Sequence, residues 1–370
     1  MSRIIKVATI QMDANPAPVN ERLNRAEKLI TQAAQEGAQL VVLPELFNIG
    51  YAYTDKNFDL AEPLEGGLTT TWMKASASRL NIHPAGTLLV LEDFEIYDSL
   101  FLFSPSGQRW RYDKNYLWAW ERGYFRGRRG MTIANTELGD LGLMICWDLG
   151  HLKLWSQYAG KVDLMLLSSC PPDAIGADLQ LSDNQKLDFE ASGTALELLK
   201  DAGAQFFGGM ANQQAKWLHV PVINSGASGL VHTPIPKSEA LLRNLAFPTR
   251  QSINDLPKDK SLKMTCEMIP SCKIVDANGQ VIAERLPNHG EGYVTAEVTI
   301  PGAKSMPTGP RPKPPLKWFA AQMAIINSGI IIPATMKSIY KNGIKSLKQQ
   351  SALIRESALR RQTNKSDSLL

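Results

Sequence analysis

Cysteine and histidine are scarce in this sequence, with 4 Cys and 5 His among 370 residues. Cys146, Cys170, Cys266 and Cys272 are too few and too scattered for a disulfide framework, which points to a reducing compartment. Cys266 and Cys272 lack the spacing of a Cys-x-x-Cys clamp and read as buried free thiols. The histidines His83, His151, His219, His232 and His289 have no ligand spacing and no His-Glu-x-x-His run, so no catalytic metal is expected, and no cofactor of any kind. Phosphate and dinucleotide loops are absent, and Gly226-Ala227-Ser228-Gly229 lacks the spacing of a serine nucleophile elbow. The opening residues, Met1 to Lys6, carry no long apolar run and no small-residue cleavage site, so the expected location is the cytoplasm.

What the sequence does contain is ordinary for a soluble enzyme: 44% hydrophobic residues, 21% charged, 27 Gly and 22 Pro. The length allows two domains, or one large α/β domain with additions. The net charge of +4 is unevenly spread. Residues 311–370 carry +9 and the rest of the chain −5, so the basic balance belongs to the C-terminal segment and no nucleic-acid partner is expected.

Ile4–Ile10 reads as a strand, followed by a helix capped by Asn20 and closed by Gly37. Gln39–Leu43 is a continuous apolar run, which implies a sheet covered on both faces. A helix follows near 69–80, then strands at 87–91, 99–103, 141–145 and 162–167. Phe206–Met210, Val220–Ile223 and Ile274–Asp276 read as further strands. There is no short internal repeat, and 301–316 is a Pro-rich linker between a domain at 1–300 and a tail at 317–370.

Three reactive groups stand where apolar strands end: Glu45 after Leu43-Pro44, Lys114 after Tyr112-Asp113, and Cys146 after Met144-Ile145. Singly, each has a bland explanation: a solvated carboxylate, a surface lysine, a small buried thiol. Together they supply a nucleophile, a base for its proton and a cation for a tetrahedral oxyanion, which is what attack on an amide needs. Trp118, Trp120, Trp147 and Trp155 cluster in sequence around these residues and suit either an aromatic wall or core packing.

In order and composition these segments resemble the carbon–nitrogen hydrolase, or nitrilase, superfamily. The similarity spans roughly residues 4–300. Leu43-Pro44-Glu45, Tyr112-Asp113-Lys114-Asn115-Tyr116-Leu117 and Met144-Ile145-Cys146-Trp147-Asp148 look like its glutamate, lysine and cysteine motifs. Gly86, Tyr97-Asp98-Ser99-Leu100, Ser106-Gly107, Ile274–Gly279 and Gly290–Tyr293 are supporting matches. The resemblance implies a four-layer α-β-β-α sandwich with a C-terminal helical extension. It implies a thiol-dependent hydrolase in which Glu45 is the base, Cys146 the acyl-forming nucleophile, and Lys114, with the Trp147 backbone N–H, the oxyanion donor. Glu121 falls at the spacing of the family's second glutamate, which holds substrate or lysine in place. A homodimer or higher homo-oligomer is also implied, with helices after the Cys146 and Met210 regions as contributors.

Cys-Trp-Asp resembles amidases and carbamoyl-amine hydrolases more than nitrile-attacking members, so a small amide or carbamoyl substrate is expected. A nitrilase, or a silent interaction protein with this fold, is the alternative. Departures are the stretch Leu149–Trp155, where many members have an arginine-containing segment, and Asp98 in place of an asparagine. Additions near 173–205 and 234–265 read as lids, interfaces or surface elaboration. In the tail, 318–336 contains no charge, and Lys337, Lys341, Lys345 and Lys348 then recur at helical spacing. This suits either packing on the protein or docking of 317–361 on an anionic membrane surface. Catalysis is expected to survive removal of the tail at Pro310.

Overall fold

The computed structural model describes residues 2–174, 176–181, 186–187, 202–238, 261–304, 306–313 and 332–367. Much of the two additions, and 318–331 of the uncharged stretch, therefore lie outside the described residues.

Two sheets carry the architecture. The first has eight strands: β1 (Arg3–Asp13), β2 (Leu40–Val42), β3 (Glu62–Pro63), β4 (His83–Glu92), β5 (Glu95–Phe103), β6 (Arg109–Asp113), β13 (Gly226–Ser228) and β18 (Gly292–Ile300). Its backbone order is β13-β1-β2-β4-β5-β6, with β18 antiparallel to β1 and β3 against β4. The second has six: β7 (Ile133–Thr136), β8 (Gly139–Ile145), β9 (Leu164–Ser168), β12 (Val222–Asn224), β16 (Lys273–Val275) and β17 (Val281–Glu284), in the order β17-β16-β12-β9-β8-β7. A small four-stranded sheet joins β10 (Asp178–Leu181), β11 (Lys186–Leu187), β14 (Val231–Ile235) and β15 (Leu262–Cys266).

The apolar runs explain the layering. Val7, Leu40, Val42, Leu100 and Leu102 of the first sheet are buried in one core with Leu143, Ile145, Leu164, Leu166 and Ile223 of the second. The opposite face of the first sheet (Ala8, Ile10, Val41, Phe101) is covered by α1 (Val19–Gln35) and α3 (Leu68–Leu80). A short helix, α2 (Lys56–Asp59), lies between them in sequence. The outer face of the second sheet is covered by α4 (Leu152–Tyr158) and α5 (Ala202–Leu218). The result is the expected α-β-β-α sandwich. Polar stitches cross between the sheets near β2: Ser168 Oγ and Ser225 Oγ both donate to Leu43 O, at 2.7 and 2.9 Å.

Two local expectations are corrected. Phe206–Met210 is helical, within α5. Its buried residues Phe206, Phe207, Met210, Ala211, Gln214, Ala215 and Leu218 repeat at helical spacing, a period that five residues are too few to reveal. Helix α1 begins one residue before Asn20, after Pro18 at φ −53°, and no side chain caps it. Proline's fixed φ sets the entry there.

The final helix, α6 (Ile332–Asp367), is not independent of the domain. Met336, Tyr340 and Ile344, one turn apart, are buried against the domain. Ile96 N–H donates to Tyr340 Oη at 3.3 Å, and the Arg126 guanidinium lies 3.3 Å over the Tyr340 ring. Glycine is required at 343, because a Cβ there would fall 2.1 Å from the Phe58 ring. Lys337, Lys341, Lys345 and Lys348 are exposed. Among the described residues no helix is long and apolar enough to cross a membrane.

Candidate active site

Glu45, Lys114 and Cys146 sit where β2, β6 and β8 end, and the tertiary fold brings these ends together. Each is all but sealed from solvent. An unusual backbone conformation marks two of these three segments. Leu46, directly after Glu45, has φ +51°, and Cys146 itself has φ +42°. Such values are strained for residues with a side chain and persist only where surrounding structure enforces them.

The loop carrying Glu45 is enforced from behind. Arg22 of α1, fully buried, donates to Phe47 O at 2.7 Å, Asp13 O at 2.9 Å and Asn15 O at 2.8 Å. Thr87 Oγ1 accepts the Leu46 N–H at 2.8 Å. Gly86 must lack a side chain, since a Cβ there would stand 2.9 Å from the Phe47 ring.

Cys146 opens a 3₁₀ turn, Cys146–Gly150, held by Asp148. The Asp148 carboxyl accepts from Tyr112 Oη at 2.7 Å, Tyr116 N–H at 2.9 Å and Ile145 N–H at 3.2 Å. It is fully buried, and burial pushes its pKa up to about 7. Asp148 is thus a clamp on the nucleophile's turn, bonded to protein on both oxygens.

Lys114 Nζ donates to Glu45 Oε1 at 2.6 Å and to Glu121 Oε1 at 2.8 Å. Burial disfavours its charge, but Glu121 and Glu45 outweigh that and hold its pKa well above the lysine range. An ammonium has three N–H groups, so one remains for a ligand. Glu121, in the 3₁₀ turn Ala119–Gly123, also accepts from Tyr51 Oη at 2.9 Å and Trp118 N–H at 2.8 Å. Burial raises its pKa against the pull of Lys114.

The Cys146 thiol is pushed well up by burial and by the Glu45 charge, while Lys114 and the Cys170 N–H pull it down. That same Cys170 N–H donates to Glu45 Oε2 at 3.1 Å, so the amide that lowers the thiol's pKa is bonded to the base. A thiol with a raised pKa rests neutral and needs a base to become nucleophilic.

Trp147 stacks on Phe206 at 5.0 Å and meets Trp118 edge-on at 4.3 Å. Trp120 packs on Tyr53 at 5.2 Å. Trp155 belongs elsewhere: it is fully buried in the core, donating to Leu149 O at 2.8 Å. The sequence reading missed Tyr51 and the Cys170 amide. Nothing in Gly50-Tyr51-Ala52 or in a backbone N–H marks either one before the chain is folded.

The α-β-β-α sandwich with these strand-end groups is the nitrilase fold. A carbon–nitrogen hydrolase from Helicobacter pylori G27 shares it, with a TM-score of 0.57 at 18% identity over 80% of this chain and 89% of that one. Residues 6–181 match the family model described as carbon-nitrogen hydrolase. A nitrilase of Pyrococcus abyssi is 32% identical over 148 residues, 39% of this chain and 56% of that protein. A citrullinase of Francisella tularensis is 28% identical over 193 residues, 50% of this chain and 66% of that protein. The chain thus spans between about half and two thirds of the length of these curated relatives. The match places residues 6–181 in the carbon–nitrogen hydrolase superfamily.

Proposed function

We propose that this chain is a thiol-dependent hydrolase of a non-peptide C–N bond in a small amide or carbamoyl compound. The observation that carries the reading is the buried convergence of Glu45, Lys114 and Cys146, with Lys114 Nζ 2.6 Å from Glu45 and the Cys170 N–H bonded to Glu45 at 3.1 Å. The Cys146 sulfur attacks the carbonyl carbon as its proton passes to Glu45. The oxyanion takes the free N–H of Lys114 and the backbone N–H of Trp147. Collapse of the tetrahedral species returns the Glu45 proton to the departing nitrogen, releasing ammonia or an amine and leaving a thioester. Glu45 then deprotonates water, which attacks the thioester and frees the acid and the thiol. Glu121 fixes Lys114 and the Tyr51 hydroxyl on the substrate side.

The likeness to the citrullinase of Francisella tularensis supports a carbamoyl or amide substrate. The likeness to the Pyrococcus abyssi nitrilase favours a second reading, nitrile hydrolysis through a thioimidate. The test is ammonia release from a panel of amides, carbamoyl amines and nitriles, with intact-protein mass spectrometry on the slowest substrate. Amide or carbamoyl turnover with an acyl adduct on the Cys146 peptide supports the proposal; turnover confined to nitriles replaces it with the second reading.

A further inference from the structure

The site holds more acid than the proposed mechanism uses. Asp98, on β5, is as deeply buried as Lys114, and its backbone carbonyl accepts the Lys114 N–H at 2.9 Å. Three carboxyl groups, Glu45, Asp98 and Glu121, therefore surround a single ammonium. Ionising all three would seal two uncompensated negative charges away from water, and a group in that position takes up a proton instead.

The hydrogen bonds identify which carboxyl that is. Glu45 accepts from Lys114 Nζ and from Cys170 N–H. Glu121 accepts from Lys114 Nζ, Tyr51 Oη and Trp118 N–H. Neither Asp98 carboxyl oxygen accepts a hydrogen bond, although both are buried, and Lys114 Nζ stays 4.0 Å from the nearer one. Asp98 Oδ2 and Glu45 Oε1 share one neighbour, Lys114 Nζ, at 4.0 and 2.6 Å, which sets the Glu45 carboxyl beside the Asp98 side chain. Two carboxyls can bond to each other only with a proton between them.

We propose that Asp98 is a protonated positioning residue that donates a carboxyl hydrogen bond to Glu45 and fixes the orientation of the base. Lys114 on Oε1, the Cys170 amide on Oε2 and Asp98 then hold the Glu45 carboxylate together. The titratable groups facing Asp98 are Glu45 at the end of β2, Lys114 after β6 and Glu121 in its 3₁₀ turn. Burial, and after it the Glu45 charge, keeps the Asp98 proton on well above the usual carboxylate range, with Lys114 opposing. A protonated carboxyl presents a donor on one side and an acceptor on the other, as a carboxamide does. Asparagine should therefore replace Asp98 with its function intact. When alkaline pH removes the proton, Glu45 loses a donor and gains a like charge, and activity falls.

The activity part of the test rests on the hydrolase reading; the spectroscopic part does not. Full-length wild type, Asp98→Asn and Asp98→Ala are compared. The infrared difference spectrum of wild type minus Asp98→Asn should show the C=O stretch of a protonated carboxyl at neutral pH, shifted in deuterated buffer and lost on alkaline titration. Asp98→Asn should keep near-wild-type kcat/KM at neutral pH and lose the Asp98 contribution to the alkaline limb. Asp98→Ala should lose about ten- to a hundredfold, the loss expected for one hydrogen bond to an ionised group. Absence of the protonated band, or Asp98→Asn falling as far as Asp98→Ala, overturns the proposal. If no substrate is turned over by any protein, wild type included, the hydrolase reading fails while the infrared band still decides the protonation of Asp98.

Discussion

Lys114→Met should separate the electrostatic role of the lysine from its chemical one. Methionine fills much the same volume but leaves Glu45 and Glu121, bonded at 2.6 and 2.8 Å in the native site, without their counter-charge. Breaking a buried pair by removing one partner costs about 3–5 kcal/mol when the remaining charge stays ionised. The carboxyls can avoid that cost by protonating, so the loss depends on pH. Burial already raises the pKa of Asp98 and of Glu121, and Lys114 is what pulls both down. Without it both rise further. The unfolded chain sheds these protons above about pH 4, whereas the folded variant retains them. The folded state then binds more protons than the unfolded one, and stability falls as pH rises. Urea unfolding should place Lys114→Met close to wild type near pH 5 and about 3–5 kcal/mol below it near pH 8. Turnover should be down about a hundred- to a thousandfold at either pH, because the oxyanion donor is missing. An equal stability deficit at both pH values would refute the electrostatic argument, and near-normal turnover would refute the oxyanion role.

Cys146→Ala should abolish turnover with an unchanged urea midpoint, whereas Cys170→Ala, whose contribution is its backbone N–H, should retain most activity in the same assay. Removing residues 311–370 uncovers the surfaces on which Met336 and Tyr340 pack, worth about 1.5–3 kcal/mol each. It also frees the turn carrying Glu121, since Met336 lies against Gly123; both the melting temperature and kcat should fall, contrary to the sequence-based expectation that catalysis survives. The four exposed lysines of α6 should give salt-sensitive cosedimentation with phosphatidylserine vesicles, lost in a Lys337→Gln, Lys341→Gln, Lys345→Gln, Lys348→Gln variant and absent with neutral vesicles. Light scattering at micromolar concentration should report a homodimer or larger species, and a monomer would remove that expectation.

The layered α/β architecture was legible in the chain because buried strands must be apolar along their whole length. Val41-Val42-Leu43, Leu143-Met144-Ile145 and Leu164–Leu167 announce a sheet covered on both faces before any coordinate is known. Glu45, Lys114 and Cys146 were legible for the complementary reason, as reactive groups in short motifs at the ends of such runs. Where the signal spanned little more than one helical turn, as at Phe206–Met210, helix and strand could not be told apart, and packing of a face recurring every three to four residues decided for the helix. The final helix shows another limit. Its lysine spacing is visible in sequence, but only the fold places Tyr340 beside Ile96 and Arg126 and Met336 against the turn of Glu121. The protonation of the site was likewise beyond the sequence. Asp98 reads as one acidic residue in a strand, and its state depends on how many carboxyls share Lys114 and which of them receive donors. That balance arises from side chains up to 76 residues apart in the chain, Glu45 to Glu121, so it exists only once β2, β5, β6 and the Ala119–Gly123 turn meet and water has left.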